Sequence, residues 1–311
     1  MSDALPLPEA GAVVTVGSFD GVHRGHVAVL REITARARAT ERASLLVTFQ
    51  PHPMEVVNPA AAPPLITTPL ERLEMLAQTT LDYVAILRFD DHLRALAPEA
   101  FVTEVLLRRY RMRELVIGED HGFGRGREGD VGLLRTLGVE QGFAVDVVPP
   151  VPDASGTPIS SSRIRRAVAG GDLTLAARLL GRPFQLTGRV VRGAGRGQGL
   201  GVPTINLAVP PRKLLPPDSV YAAWVEWPGG RNGAMLNQGP RPTVGDPTRT
   251  IEAHLFGFEG VLYGAWVRIE WVRRIRDVQR FPSLEALREQ LARDRVAAET
   301  ILGHGALSPK P

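Results

Sequence analysis

Two histidines, His23 and His26, stand three positions apart inside the segment Gly17–His26, which reads GSFDGVHRGH. Imidazoles at that spacing on a helix start can both donate to one polyphosphate, and the helix N-terminus adds unpaired N–H groups and a favourable dipole. Gly17, Gly21 and Gly25 let the backbone approach such a ligand, with Phe19 and Asp20 held in the same turn. Neither familiar glycine-rich alternative is present, since no G-x-x-x-x-G-K-[ST] exists and no G-x-G-x-x-G opens this helix. Plain helix capping by the two histidines is the competing reading. A second anion grip is expected at Ile159–Arg165, ISSSRIR, where Ser161 and Ser162 begin a helix and Arg165 follows one turn later. Its cation suits charge that develops on a departing phosphate group.

A third segment, Gly188–Leu207, holds glycines at 188, 193, 195, 197, 199 and 201 and ends in Pro203-Thr-Ile-Asn206. Such a loop can turn backbone N–H groups toward phosphate, although composition alone equally allows a flexible hairpin.

Chemistry of this kind needs a strand–turn–helix for the first segment and a sheet for the last. From Val13 to about Gly181 short β-branched runs alternate with longer helical ones, as in a doubly wound α/β unit with a parallel sheet. Strands are expected at Val13–Gly17, Ser44–Phe49, Tyr83–Leu87, Glu114–Ile117 and Ala144–Val148. Helices are expected at Val27–Arg42, Pro69–Thr79, Pro98–Arg109 and Val131–Gln141. Beyond Arg182 the period becomes two, in Gln185–Arg192, Tyr221–Trp227 and Ala265–Val272, punctuated by Gly and Pro as in a small antiparallel barrel. A closing helix over Leu284–Leu302, entered at Ser283, is expected to pack its Leu284, Leu287 and Leu291 stripe on that barrel. The boundary falls near Gly181–Pro183, giving domains 1–182 and 183–311.

The chain has 311 residues, enough for two cores, and no cysteine, which removes disulfides and thiolate chemistry. No basic and apolar leader opens it and no apolar run reaches a membrane span, so a cytoplasmic protein without membrane contact is expected. Of the 37 basic residues all but Lys213 and Lys310 are Arg. Up to Arg182 there are 20 Arg against 22 acids, and beyond it 17 bases against 11 acids, so the second half should favour anionic ligands. Nucleotide phosphates suffice for that; basic and aromatic residues form no stacking platform for a nucleic acid.

Taken together, these motifs resemble the bifunctional riboflavin kinase/FAD synthetase family. Its adenylyltransferase module has G-x-F-D-G-x-H-x-G-H, T-F-x-P-H-P and a late S-S-T-x-I-R, matched here by Gly17–His26, Thr48–Pro53 and Ser160–Arg165. Its G-x-[DN]-F-x-F-G is matched by Gly118–Gly124, with His121 where a Phe is usual. Its kinase module has G-x-L-G-x-P-T-A-N, G-V-Y, N-x-G-x-x-P-T, E-x-H-L and L-Y-G, matched by Gly199–Asn206, Val220-Tyr221, Asn237–Thr243, Glu252–Leu255 and Leu262–Gly264. Gln198, Ile205, Ser219 and Gly257 replace the residues usual in these motifs.

The resemblance implies a Rossmann-like nucleotidylyltransferase domain followed by a small Greek-key β-barrel kinase domain with a C-terminal helix. It implies two reactions with ATP, first riboflavin to FMN and then FMN to FAD with release of pyrophosphate. FMN phosphate is already a nucleophilic anion, so His23, His26, Ser161, Ser162 and Arg165 would chiefly bind phosphates, with Gly17, Phe19, Asp20, Gly25 and Asp120 beside the nucleotide and Phe49 and Phe123 near the flavin. The riboflavin 5′-hydroxyl needs a base, for which Glu252 is expected, with Thr204 and Asn206 as oxygen ligands of Mg²⁺ and Gly199 and Gly201 at the nucleotide. His52 is read either as a satisfied loop residue or as a catalytic group. The alternatives are a transferase acting on another acceptor, an FAD synthetase with a weakened kinase half, and an OB-like nucleic-acid binder.

Overall fold

Five strands form a parallel sheet: β1 (Ala12–Val16), β2 (Ala43–Gln50), β3 (Tyr83–Arg88), β4 (Met112–Gly118) and β5 (Ala144–Val148), in the order β3-β2-β1-β4-β5. The computed structural model describes residues 6–118, 131–193, 202–241 and 246–305. All five strands match the sequence expectation to within a residue or two. β1 is buried along its whole length, as a central parallel strand covered on both faces must be. Its side chains alternate between two cores. Val13 joins Leu30, Ile33 and Ala37 of α1 (Arg24–Ala39). Ala12, Val14 and Val16 join Phe101, Leu106 and Leu134 on the other side. Strand order reverses at β1 and β4, so their carboxyl ends form the crevice where open α/β sheets bind ligands. The GSFDG turn leaves β1 at that point.

Further helices are α2 (Pro53–Val57), α3 (Pro69–Leu76), α4 (Asp91–Ala95), α5 (Pro98–Ala100), α6 (Val131–Gln141), α7 (Ser161–Ala169) and α8 (Leu173–Leu180). The expected α-helix over Pro98–Arg109 starts at Pro98 but runs in π-helical turns over Phe101–Arg109. Phe101 and Leu106 are both buried, and the five-residue spacing that brings both to the core is that of a π-helix. Tyr110 N donates to Val105 O across the same five-residue step.

The remaining strands close a barrel: β6 (Gln185–Val191), β7 (Ile205–Leu207), β8 (Ser219–Trp227), β9 (Gly230–Arg241), β10 (Asp246–Leu255) and β11 (Trp266–Asp277), in the order β10-β7-β6-β11-β8-β9. Every pairing is antiparallel, and β10 closes the ring by pairing with both β7 and β9. α9 (Leu284–Gly305) covers Val220, Ala222 and Met235 with Ala298 and Leu302. Its N-terminus is capped as expected, Ala286 N donating to Ser283 Oγ at 3.1 Å. Of the expected stripe, Leu291 packs against this cluster, whereas Leu284 is 67 % exposed. The helix is fixed further on, where Arg276 grips the buried Asp294 with three bonds of 2.6–3.0 Å.

The chain divides into two compact units, Met1–Pro64 with Arg72–Ser161, and Leu65–Glu71 with Ser162–Pro311. The second unit thus takes in a short piece from early in the chain. Leu65 pairs by its backbone with Arg212 and Leu214, and the fully buried Glu71 carboxylate meets the fully buried Lys213 Nζ at 2.7 Å and accepts from Thr187 N at 2.6 Å and Thr68 N at 2.8 Å. Lys213 also donates to Ile66 O at 2.7 Å and lies 4.8 Å from the Phe184 ring centroid.

Candidate functional sites

Beyond β1 the backbone makes a tight turn in which Phe19 (φ +48°), Gly21 (φ +90°) and Val22 (φ +37°) occupy the left-handed region. For a bulky and a β-branched residue this costs about 1–3 kcal/mol each. The turn is held by Val22 N to Phe19 O at 3.1 Å and Gly17 N to Val47 O at 3.0 Å. Gly17 lies close to the Phe19 ring, and a Cβ there would come within 3.1 Å and push the ring by a few tenths of an ångström. Asp20 is 2 % exposed.

His23 is the N-cap of α1, and the two histidines do cap the helix, reciprocally. His26 N donates to His23 Nδ1 at 3.2 Å and His23 N donates to His26 Nδ1 at 3.4 Å, with the rings stacked at 3.5 Å. The capping reading and the ligand reading are therefore compatible. Each Nδ1 is an acceptor, so each neutral ring carries its proton on Nε2. The cap thus sets two Nε2–H donors side by side at a helix N-terminus whose first turn holds no acidic residue. A Cβ on Gly25 would meet the His23 ring at 3.2 Å, so glycine there keeps the imidazole in place.

Ser161 joins this turn, its Oγ donating to Asp20 O at 2.9 Å. Ser162 and Arg165 follow on α7. His52 caps α2 with Nδ1 accepting from Met54 N at 3.2 Å, while Glu55 accepts from His52 N at 3.2 Å. Phe49 packs edge-on to Phe89 at 5.5 Å and at 6.4 Å from Phe101, partly buried against the core. Asp120, His121 and Phe123 lie outside the described residues. One residue that no motif singled out is Arg72, on α3: Nη1 donates to Ser18 O at 2.7 Å and Nη2 to Phe49 O at 2.8 Å.

In the barrel, Glu252 pairs across β10 with Asn206 of β7 on one side and Asn237 of β9 on the other. Directly opposed residues share a face, so the three polar side chains form one rung. Asn237 is in turn opposite Val220, which lies under α9, so the rung is on the outer, helix-bearing face. Asn206 is 7 % exposed. Thr204 stands two residues before it, the spacing that puts two side chains on one face of an extended chain. His254 Nδ1 donates to Pro203 O at 2.8 Å and its ring lies edge-on to Phe256, which tethers the Pro203–Asn206 segment. Sequence spacing places Glu252 and His254 on one strand face, but strand register is needed to join them to Asn206 and Asn237. Among the described residues no group of three His, Cys, Asp or Glu is placed to hold a metal. Thr204, Asn206 and Glu252 instead offer hard oxygen atoms of the kind Mg²⁺ shares with water and phosphate.

Two departures from the family motifs have local causes. Ser219 is fully buried and accepts from Arg274 Nε at 2.7 Å while donating to Asp218 O at 2.6 Å. Gly257 has φ +65°, a turn conformation that an Asp adopts at a cost. Gln198, Gly199, Gly201 and Thr243 lie outside the described residues. Tyr221 is a core residue whose hydroxyl donates to Pro217 O at 2.6 Å, and burial pushes its phenol up.

The FAD synthetase family model matches residues 6–163 and the riboflavin kinase family model residues 180–302. A bifunctional riboflavin kinase/FMN adenylyltransferase from Escherichia coli strain K12 is 38 % identical over 297 residues, covering 95 % of this chain and 94 % of that protein. One of the same name from Pseudomonas fluorescens is 37 % identical, with 95 % and 94 % covered. A crystal structure named as a macrolide-efflux protein from Streptococcus pneumoniae superposes with TM-score 0.82 at 30 % identity, covering 96 % of this chain and 97 % of that one. Among the described residues no helix is long and apolar enough to cross a membrane.

Proposed function

This chain belongs to the family of bifunctional riboflavin kinase/FMN adenylyltransferases, and from that premise we propose that it makes FAD from riboflavin in two ATP-dependent steps at two sites. Residues 1–182 carry adenylyl transfer and 183–311 carry the kinase. The observation that supports this division is chemical: a histidine pair presenting two Nε2–H donors at a sheet switch point in one unit, and a carboxylate between two asparagines in the other.

In the kinase step the riboflavin 5′-oxygen attacks the γ-phosphorus of ATP, its proton passes to Glu252, and ADP departs. Mg²⁺ bound through Thr204 and Asn206 would neutralise phosphate charge. Gly199 and Gly201 would bind the nucleotide, as the family resemblance implies. In the transferase step an FMN phosphate oxygen attacks the α-phosphorus of ATP and pyrophosphate departs. His23 and His26 donate from Nε2 to phosphate, with Ser161, Ser162 and Arg165 supplying hydroxyls and a cation for the leaving group. Gly17, Phe19, Asp20, Gly25 and Asp120 surround the nucleotide, and Phe49 and Phe123 the flavin. The partners are small molecules and the compartment is the cytoplasm; no nucleic acid is involved.

The test is incubation of the purified chain with riboflavin, ATP and Mg²⁺ followed by separation of the flavins. FMN and FAD both appear. Intact riboflavin would contradict the kinase assignment, and FMN accumulating without FAD would contradict the transferase assignment. Steeply salt-dependent binding of an oligonucleotide without flavin turnover would favour a nucleic-acid protein instead.

A further inference from the structure

Arg72 is 7 % exposed and makes no ion pair among the described residues, although burying an unpaired cation is costly. Its Nη1 and Nη2 each satisfy a backbone carbonyl, Ser18 O at 2.7 Å and Phe49 O at 2.8 Å, while its Nε has no hydrogen-bond partner among the described residues. Ser18 belongs to the turn that carries His23, and Phe49 is the last residue but one of β2, the strand that leads to Pro51-His-Pro53. Thr48 Oγ1 adds a weaker bond of 3.3 Å to the same Ser18 carbonyl. Burial holds the guanidinium below its ordinary pKa, and the charge of Asp20 opposes that shift.

A leucine or methionine would fill this space without the desolvation cost, but neither could fix the separation of two carbonyls from different motifs. The guanidinium is planar and presents its donors in a rigid fork. Resting on the adenylyltransferase reading of this unit, we infer that Arg72 is a positioning residue for adenylyl transfer, holding the nucleotide turn at Ser18 in register with the end of β2 at Phe49. It acts through the backbone and need not touch substrate. Without it, the Phe49 carbonyl loses its guanidinium donor and the Ser18 carbonyl keeps only the weaker Thr48 bond, the turn relaxes, and the His23 and His26 donors move with it.

The test uses Arg72→Met and Arg72→Lys in the full chain, with FAD formation from FMN and FMN formation from riboflavin measured separately. In Arg72→Met the KM for ATP in FAD formation rises at least tenfold while the kinase KM for ATP stays at the wild-type value. Arg72→Lys, which keeps the charge and can reach one carbonyl, gives an intermediate rise. A residue that only stabilises the fold would lower the active fraction, and hence apparent kcat, with KM unchanged. That result, or a wild-type KM in either variant, overturns the inference. Wild-type chain that forms no FAD overturns the adenylyltransferase reading and the inference with it.

Discussion

Gly193 offers a way to move one side chain of the proposed kinase site without touching its chemistry. A Cβ built at Gly193 lies 2.5 Å from Asn206 Cγ and 2.7 Å from its Oδ1, with Nδ2 in contact as well. The backbone at 193 is not in the left-handed region, so Gly193→Ala adds no conformational strain and acts through this collision alone. Cβ atoms do not approach other heavy atoms closer than 3.0 Å. The amide must therefore shift by about half an ångström or more, where misplacement of a reacting group by about 1 Å can cost about 10²-fold. The expected loss is about 10- to 100-fold in kcat/KM for riboflavin phosphorylation, or about 1.4–2.7 kcal/mol of transition-state stabilisation. Phosphorylation is followed by chromatographic separation of FMN, and FAD formation from supplied FMN stays at the wild-type rate. A variant within twofold of wild type in phosphorylation would refute the placement of Asn206 in the site, and equal loss of both activities would refute the separation of the two.

Lys213→Met leaves the Glu71 carboxylate buried without its partner and lowers stability by about 3–5 kcal/mol, and adding Glu71→Gln restores most of the loss. All four Trp lie between 224 and 271, so the urea midpoint of the tryptophan fluorescence transition reads the second unit directly; an unchanged midpoint in Lys213→Met would refute the importance of the pair. His254→Leu removes the bond to Pro203 O and lowers kinase kcat/KM about tenfold, since a hydrogen bond of this kind contributes about 1–1.5 kcal/mol and this one holds the segment that carries the proposed ligands Thr204 and Asn206. His254→Gln, whose side-chain amide can donate, recovers part of it, and equal activity in the two variants would exclude the tether.

What was legible in the chain follows from what is local. The β-branched runs at 13–17, 44–49 and 114–117 read as buried parallel strands because both faces need apolar residues. The glycine and histidine spacing of GSFDGVHRGH read as a phosphate turn because its geometry is set within ten residues. The π-helical register of Phe101–Arg109 was hidden because apolar spacings of four and five overlap in so short a segment. Leu284 looked like core because helix periodicity gives a stripe its direction but not the point where contact begins. Least legible were features that join distant residues: Glu71 to Lys213 across 142 positions, Arg72 to Ser18 across 54, and the rung of Asn206, Glu252 and Asn237, which exists only once three strands have taken their register. The ring tautomers of His23 and His26 likewise follow from a reciprocal cap that a motif does not specify.

If one chain carries two independent sites, a variant defective in one site can complement a variant defective in the other in trans. His26→Ala and Glu252→Gln are each supplied with riboflavin, ATP and Mg²⁺, singly and as an equimolar mixture. His26→Ala yields FMN without FAD, Glu252→Gln leaves riboflavin unchanged, and the mixture yields FAD, with Glu252→Gln converting supplied FMN to FAD at the wild-type rate. Loss of both activities in either folded variant, or a mixture that stops at FMN, would contradict the independence of the two sites.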